Sequence, residues 1–382
     1  MSLTSELASG PLAAWFRDRF PGADTAAAVV GGLVNKARCV PAAGAVSRRH
    51  WSAVGAAVST RLGWAAEPAP PYYALLGAHR AGLIGWDAVN RAAASFPTHR
   101  GSGTGLPPQA APEQLLAWRP TPAGWVDTAP PPAQRPTFHQ GGTHGLLVAD
   151  FARRTGTFLD RVPRGEHGTA GEETVLARAA LVLADWEDAY RGDGRLPAAT
   201  RTALDHARTA GDAAELLHAV EPAELADTAA ILEHARRSGL LEQLAAAAEP
   251  GSCGRPRGHA FPTFVEQWAD GDLILEPANG SPTTLIDVKT VMGPRNPSTV
   301  QRWLWQLLGY ALLVECFAPE WRLGRVGLCF ARHAHVVSWQ VEELAGALAG
   351  ERPRAWSRAR GEFDQVFRET LAARGLTAVE PG

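Results

Sequence analysis

The sequence predicts an α/β (α+β) protein, with a mixed-sheet core flanked by helices in the last third of the chain and a largely helical region before it. Three observations carry that expectation. Apolar residues recur at helical spacing through much of the first 250 positions. After Gly251 the pattern changes to short strand-like runs separated by Gly, Pro and Asn. A long apolar helix then divides those strands into two groups, an order that builds a sheet with helices on it rather than a bundle.

The chain has 382 residues, 46% hydrophobic and 20% charged, with a formal net charge of −2. That length suits two or three domains with separate cores, and the apolar fraction excludes wholesale disorder. No stretch approaches the ~20 uninterrupted apolar residues of a membrane span. Met1–Gly10 lacks the basic and apolar segments of a secretory signal. Cys39, Cys253, Cys316 and Cys329 are widely spaced without a C-x-x-C pair, so buried thiols are expected rather than a disulfide framework. A cytoplasmic protein is the expectation.

In chain order, residues 11–20 follow Ser9-Gly10 as a short helix, and 48–64 place Trp51, Val54, Val58 and Leu62 at helical spacing. A weaker helical pattern covers 75–94. Residues 97–136 carry ten prolines, including Pro130–Pro132, and read as a linker. From 141 to 249 the pattern is helical again. Leu176, Ala180, Leu183, Trp186 and Tyr190 form one stripe, and Gly211-Asp212 and Ser238-Gly239 break the later helices. Strand-like runs follow at 261–268, 271–276 and 284–290, with a turn at Pro277–Pro282. A helix over 297–317, strands over 325–332 and 335–341, and helices over 342–350 and 361–374 close the chain. The expected division is 1–96 (helical, contributing the first core helix), 97–140 (linker), 141–250 (helical domain) and 251–382 (α/β core).

The basic residues sharpen the reading. Of 37 Lys and Arg, only Lys36 and Lys289 are lysine, in a composition that otherwise writes arginine for positive charge. A retained lysine suggests a need for a compact ammonium. Strand alternation puts Asp287 and Lys289 on one face, and Asp270, Asp272 and Glu276 together on the preceding strand. A hairpin in the right register brings Asp272 beside Asp287 and Lys289. Converging carboxylates call for a cation, and hard oxygen ligands suit Mg²⁺ or Mn²⁺. An adjacent lysine can hold a water and stabilise charge on a phosphate, which fits phosphodiester hydrolysis.

Asp270-Gly271-Asp272, then Ile286-Asp287-Val288-Lys289, then Gln306 to Tyr310 resemble the three ordered motifs of PD-(D/E)xK nucleases of the RecB type. The resemblance spans about residues 257–341. It implies a restriction-endonuclease-like core in which Asp272 and Asp287 bind the metal, Lys289 is catalytic, and Gln306 and Tyr310 supply the third motif. It further implies DNA as substrate, in defence against foreign DNA or in repair. Alternatives are a catalytically inactive DNA-binding or assembly subunit and an RNA-directed hydrolase. A protein partner would be met through the helical N-terminal region.

Many members carry a Glu or His on a first core helix. The 48–64 helix has no acid at its centre, which leaves His144, His259 and Glu266 as weak candidates. An iron–sulfur cluster is not favoured, because only Cys316 and Cys329 follow the third motif and they are not clustered. The region from Gly251 is charge-balanced, so nucleic-acid contacts must be local. Arg255, Arg257, Arg295 and Arg302 are the candidates, with the basic run Arg352–Arg360 equally readable as a solvated helix end.

Overall fold

The computed structural model describes residues 2–44, 47–98, 118–121, 124–127, 144–192, 194–252, 254–265, 268–317, 319–350 and 355–373. It is a mixed α/β fold, mostly helical, with one five-stranded mixed sheet. Among the described residues no helix is long and apolar enough to cross a membrane.

Helices α1 (Leu3–Ser9), α2 (Pro11–Arg19) and α3 (Ala23–Val34) open the chain. They are followed by α4 (Arg48–Ala66), α5 (Tyr72–Arg80), α6 (Trp86–Ala93), the hairpin β1 (Trp118–Thr121) and β2 (Gly124–Asp127), α7 (Gly145–Arg161), α8 (Ala170–Arg191), α9 (Ala198–Ala210) and α10 (Pro222–Arg237). The last part holds α11 (Leu240–Ala248), β3 (Gly258–Ala260), β4 (Thr263–Val265), β5 (Ala269–Asp270), β6 (Leu273–Leu275) and β7 (Thr283–Lys289). It ends with α12 (Pro297–Phe317), β8 (Leu323–Phe330), β9 (His335–Gln340), α13 (Val341–Leu348) and α14 (Ala355–Ala372).

The chain forms two compact units, residues 1–40 with 238–382 and residues 41–237. These boundaries differ from the expected breaks at 96, 140 and 250. The first forty residues bury Leu3, Leu7, Phe16, Phe20, Val30 and Val34 in the same core as Leu304, Leu308 and Leu312 of α12. Helical periodicity marks such faces but does not say which partner covers them. Helices α1 and α3 carry little pattern in the sequence: α1 is seven residues long and α3 has Gly31-Gly32 near its end. The hairpin β1–β2 also replaces part of the expected linker, whose remainder lies outside the described residues.

In the helical unit, α8 is central, with its capping box at Thr169 and Glu172 and a buried Leu176, Leu183 and Trp186. It packs on α5 backbone to backbone: a Cβ at Gly77 would stand 1.8 Å from the Trp186 carbonyl oxygen. Arg61 on α4, 1% exposed, donates to both carboxylate oxygens of Glu173 on α8.

In the other unit, the sheet has the order β3-β6-β7-β8-β9. All neighbours are antiparallel except β7 and β8, which α12 joins as a parallel pair, as a helical crossover requires. One face, including Ile274, Leu285, Val326 and Leu328, packs with α12. On the other face Thr284 and Arg325 donate to the Ala247 carbonyl of α11. The sheet is thus covered on both sides, and only strand ends and edges remain for chemistry.

Candidate active site

Two strands position the carboxylates. In the β6–β7 ladder Leu273 faces Ile286 and Ile274 faces Leu285. Extending that register by one residue sets Asp272 opposite Asp287, on one face of the sheet as the sequence predicts. The Val288 amide donates to Asp272 Oδ2 at 2.6 Å, so the carboxylate takes a ladder donor at the end of the short strand. On the far side Phe261 donates to the Asp272 carbonyl while holding a left-handed backbone (φ 59°). That conformation is uncommon for a bulky residue and marks the kink between β3 and β4.

Asp287 is 4% exposed, and its Oδ2 lies 2.5 Å from Lys289 Nζ. The contact is a close ionic one, because Oδ2 makes no directed hydrogen bond. Lys289 also donates to Gln306 Oε1 at 3.3 Å and stands over the Trp303 ring, 5.6 Å from its centroid. Gln306, 6% exposed, donates through Nε2 to the Tyr310 hydroxyl at 2.7 Å, which in turn donates to the Asp270 carbonyl at 2.7 Å. A single line of contacts therefore runs Asp287–Lys289–Gln306–Tyr310–Asp270.

The electrostatics agree with that clustering. Burial, and then the charges of Asp287, Asp270 and Asp272, push the Tyr310 hydroxyl well above its ordinary pKa. The buried Cys329 thiol is raised by burial and then by Asp272 and Asp287. Tyr310 therefore stays protonated and can donate, and Cys329 is no nucleophile.

The structure thus brings together Asp272, Asp287, Lys289, Gln306 and Tyr310. The candidate arginines divide. Arg295 lies in the loop after Lys289, and Arg302 is on the second turn of α12, donating to Thr299. Arg255 and Arg257 precede β3, whose Gly258 pairs with Leu275; the Arg257 carbonyl accepts from Glu276, at the end of β6 away from Asp272. In the Arg352–Arg360 run, Arg358 and Arg360 pair with Glu362 and Glu315, while Arg352 and Arg354 lie outside the described residues.

Of the weak ligand candidates, His259 does not join the cluster. His144 belongs to the helical unit, 3.6 Å from Asp205. His259 is bound to Glu276 at 3.1 Å and packs on Trp321. Glu266 and Cys253 lie outside the described residues. Cys39, Cys316 and Cys329 are free thiols. Glu6 on α1 is a further buried acid, 2% exposed, with its carboxylate turned toward Gly10.

The donor set suits a hard divalent cation, with two carboxylates opposite one another and one of them buried beside an ammonium. Among the described residues no group of three or more His, Cys, Asp and Glu side chains is arranged to hold a metal. Two carboxylates nevertheless match Mg²⁺, which commonly binds one or two of them and keeps its remaining waters. The chain matches no protein-family profile, no curated protein and no solved structure.

Proposed function

We propose that the sheet-bearing unit is a metal-dependent nuclease of the PD-(D/E)xK type, hydrolysing DNA phosphodiester bonds. The observation that carries this reading is the register. It sets Asp272 opposite Asp287 and leaves Lys289 Nζ 2.5 Å from Asp287 and 3.3 Å from Gln306. Asp272 and Asp287 would hold Mg²⁺ or Mn²⁺, which when bound supplies Lewis-acid polarisation of a phosphoryl oxygen. Lys289 is the charged donor that can orient a water or offset charge on the phosphate. Gln306 fixes the ammonium by accepting from it, and Tyr310 fixes Gln306 by accepting from Nε2. A role in defence against foreign DNA or in repair follows from the resemblance alone.

The test is cleavage of duplex DNA, single-stranded DNA and RNA with Mg²⁺, Mn²⁺ or EDTA. Metal-dependent cleavage of DNA is expected, and RNA cleavage alone would redirect the proposal to an RNA hydrolase. Lys289→Arg should lower turnover by about 10²–10³-fold without unfolding the protein. The planar guanidinium is bulkier and points its donors differently from the ammonium that meets Asp287 and Gln306. A second reading, a non-cleaving DNA-binding or assembly subunit, is favoured by the lack of a third clustered ligand among the described residues. Metal-independent DNA binding with no cleavage of any substrate would establish it in place of the first.

A further inference from the structure

The loop from Thr290 to Asn296 leaves Lys289 and enters α12, and the N-terminal segment Asn35–Val40 is fastened to it. The fastening is specific. Arg332, fully buried, donates to the Thr290 carbonyl at 2.7 Å and to the Val40 carbonyl at 3.4 Å, while the Val40 amide donates to the Arg332 carbonyl at 2.9 Å. Cys39 Sγ contacts the Met292 carbonyl at 3.3 Å. A Cβ at Gly31 would stand 2.8 Å from the Pro294 carbonyl oxygen. One at Gly293 would stand 3.3 Å from Asn35 Oδ1 and 3.6 Å from Arg295 Nε.

These contacts place Lys36, next to Asn35, on the same rim as Arg295, with Arg302 two turns into the adjoining helix. Lys36 and Arg295 are exposed, and among the described residues neither they nor Arg302 has a carboxylate partner. In the same unit Arg19, Arg358, Arg360 and Arg368 pair with acids, while Arg17, Arg257 and Arg322 are exposed without an acid partner among the described residues. Arg295 and Arg332 both reach the Cys39 thiol electrostatically, although burial still raises its pKa. Uncompensated positive charge beside a candidate phosphodiester site is the footprint of a phosphate backbone.

We propose that Lys36, Arg295 and Arg302 form a phosphate-binding rim that grips the DNA backbone on the β7–α12 side of the Asp272–Asp287–Lys289 site. The proposal rests on the nuclease reading for the identity of the strand. It adds that the N-terminal segment supplies substrate contacts and that Arg332, with its charge buried behind the rim, holds that segment in place.

The experiment is fluorescence anisotropy of labelled DNA with the full chain in EDTA, across a series of NaCl concentrations. Lys36→Gln and Arg295→Gln should each weaken binding several-fold near physiological salt. Each should also make the slope of log K against log salt shallower by about 0.7–0.9. Lys36→Arg should restore the slope, and Arg257→Gln, at the other end of β6, should leave it unchanged. Thermal melts of the variants should match the parent, because both side chains are exposed.

Parent-like affinity and slope for Lys36→Gln and Arg295→Gln would overturn the proposal, as would an equal loss in Arg257→Gln. Binding to RNA with DNA ignored would overturn the choice of DNA. The two readings fail separately. Rim-dependent binding in a chain that cleaves nothing keeps the rim and removes the nuclease, whereas cleavage by a chain indifferent to both variants does the reverse.

Discussion

The two units bury charge in opposite ways. In the helical unit two buried acids each sit against a basic side chain. Arg61 makes two bonds to Glu173, and His50 Nε2 lies 2.8 Å from Asp227, which is wholly buried. Burial by itself would raise the Glu173 pKa, but His167, Arg61 and the Gly168 amide hold it down at about 2. In the sheet unit two carboxylates stand opposite one another across a ladder, with one ammonium against Asp287 and a glutamine–tyrosine pair behind it. Matched ions fix helices against each other. Two carboxylates set against a single ammonium at a strand end have little to offer stability, which is why they are the candidate for chemistry.

The comparison can be broken at its strongest point by Asp287→Asn. The variant keeps the side-chain shape and should fold, yet lose about a thousandfold in metal-dependent cleavage, or ~4 kcal/mol of transition-state stabilisation. Parent-like turnover in a cleavage assay would show that the paired carboxylates are structural, as in the helical unit.

Glu173→Gln tests the other side, with an expected loss of about 3 kcal/mol in stability and no change in kcat. The sign follows from the depressed pKa. The contribution is complete above the unfolded glutamate value near 4.5 and is lost as pH falls toward 2. Denaturant melts at pH 7 and pH 3 should therefore show the parent losing more stability on acidification than the variant.

Gln306→Leu sharpens the division between packing and function. Gln306 is 6% exposed on a largely apolar helix, so a leucine of similar size can be buried in its place. Turnover should fall by roughly 10- to 100-fold as Lys289 loses an acceptor, while the melting temperature holds or rises. Equal kcat in parent and variant would reduce the third motif to packing. Tyr310→Phe should have the smallest effect, about 1 kcal/mol or less than tenfold, because the ring keeps its contact with Phe264 and only the relay through the hydroxyl is lost. A larger loss in Tyr310→Phe than in Gln306→Leu would invert the order of that relay.

Much of this molecule follows from local pattern. Period-two alternation alone puts Asp287 with Lys289, and helical spacing alone puts Gln306 one turn from Tyr310, so these neighbours were legible in the sequence. So were the strand–helix–strand order of the last third, the stripe of α8 and the break at Ser238-Gly239. What the pattern could not decide was every partnership between distant segments. The register that sets Asp272 against Asp287 depends on how a short β6 ends, and the inclusion of residues 1–40 in the sheet unit depends on which core accepts Phe16 and Val30. The fastening of Asn35–Val40 to the loop after Lys289 depends on a buried Arg332 in a distant strand connection. Local spacing dictates which face a side chain occupies. Apolar burial is non-directional, so only the assembled core selects what that face meets.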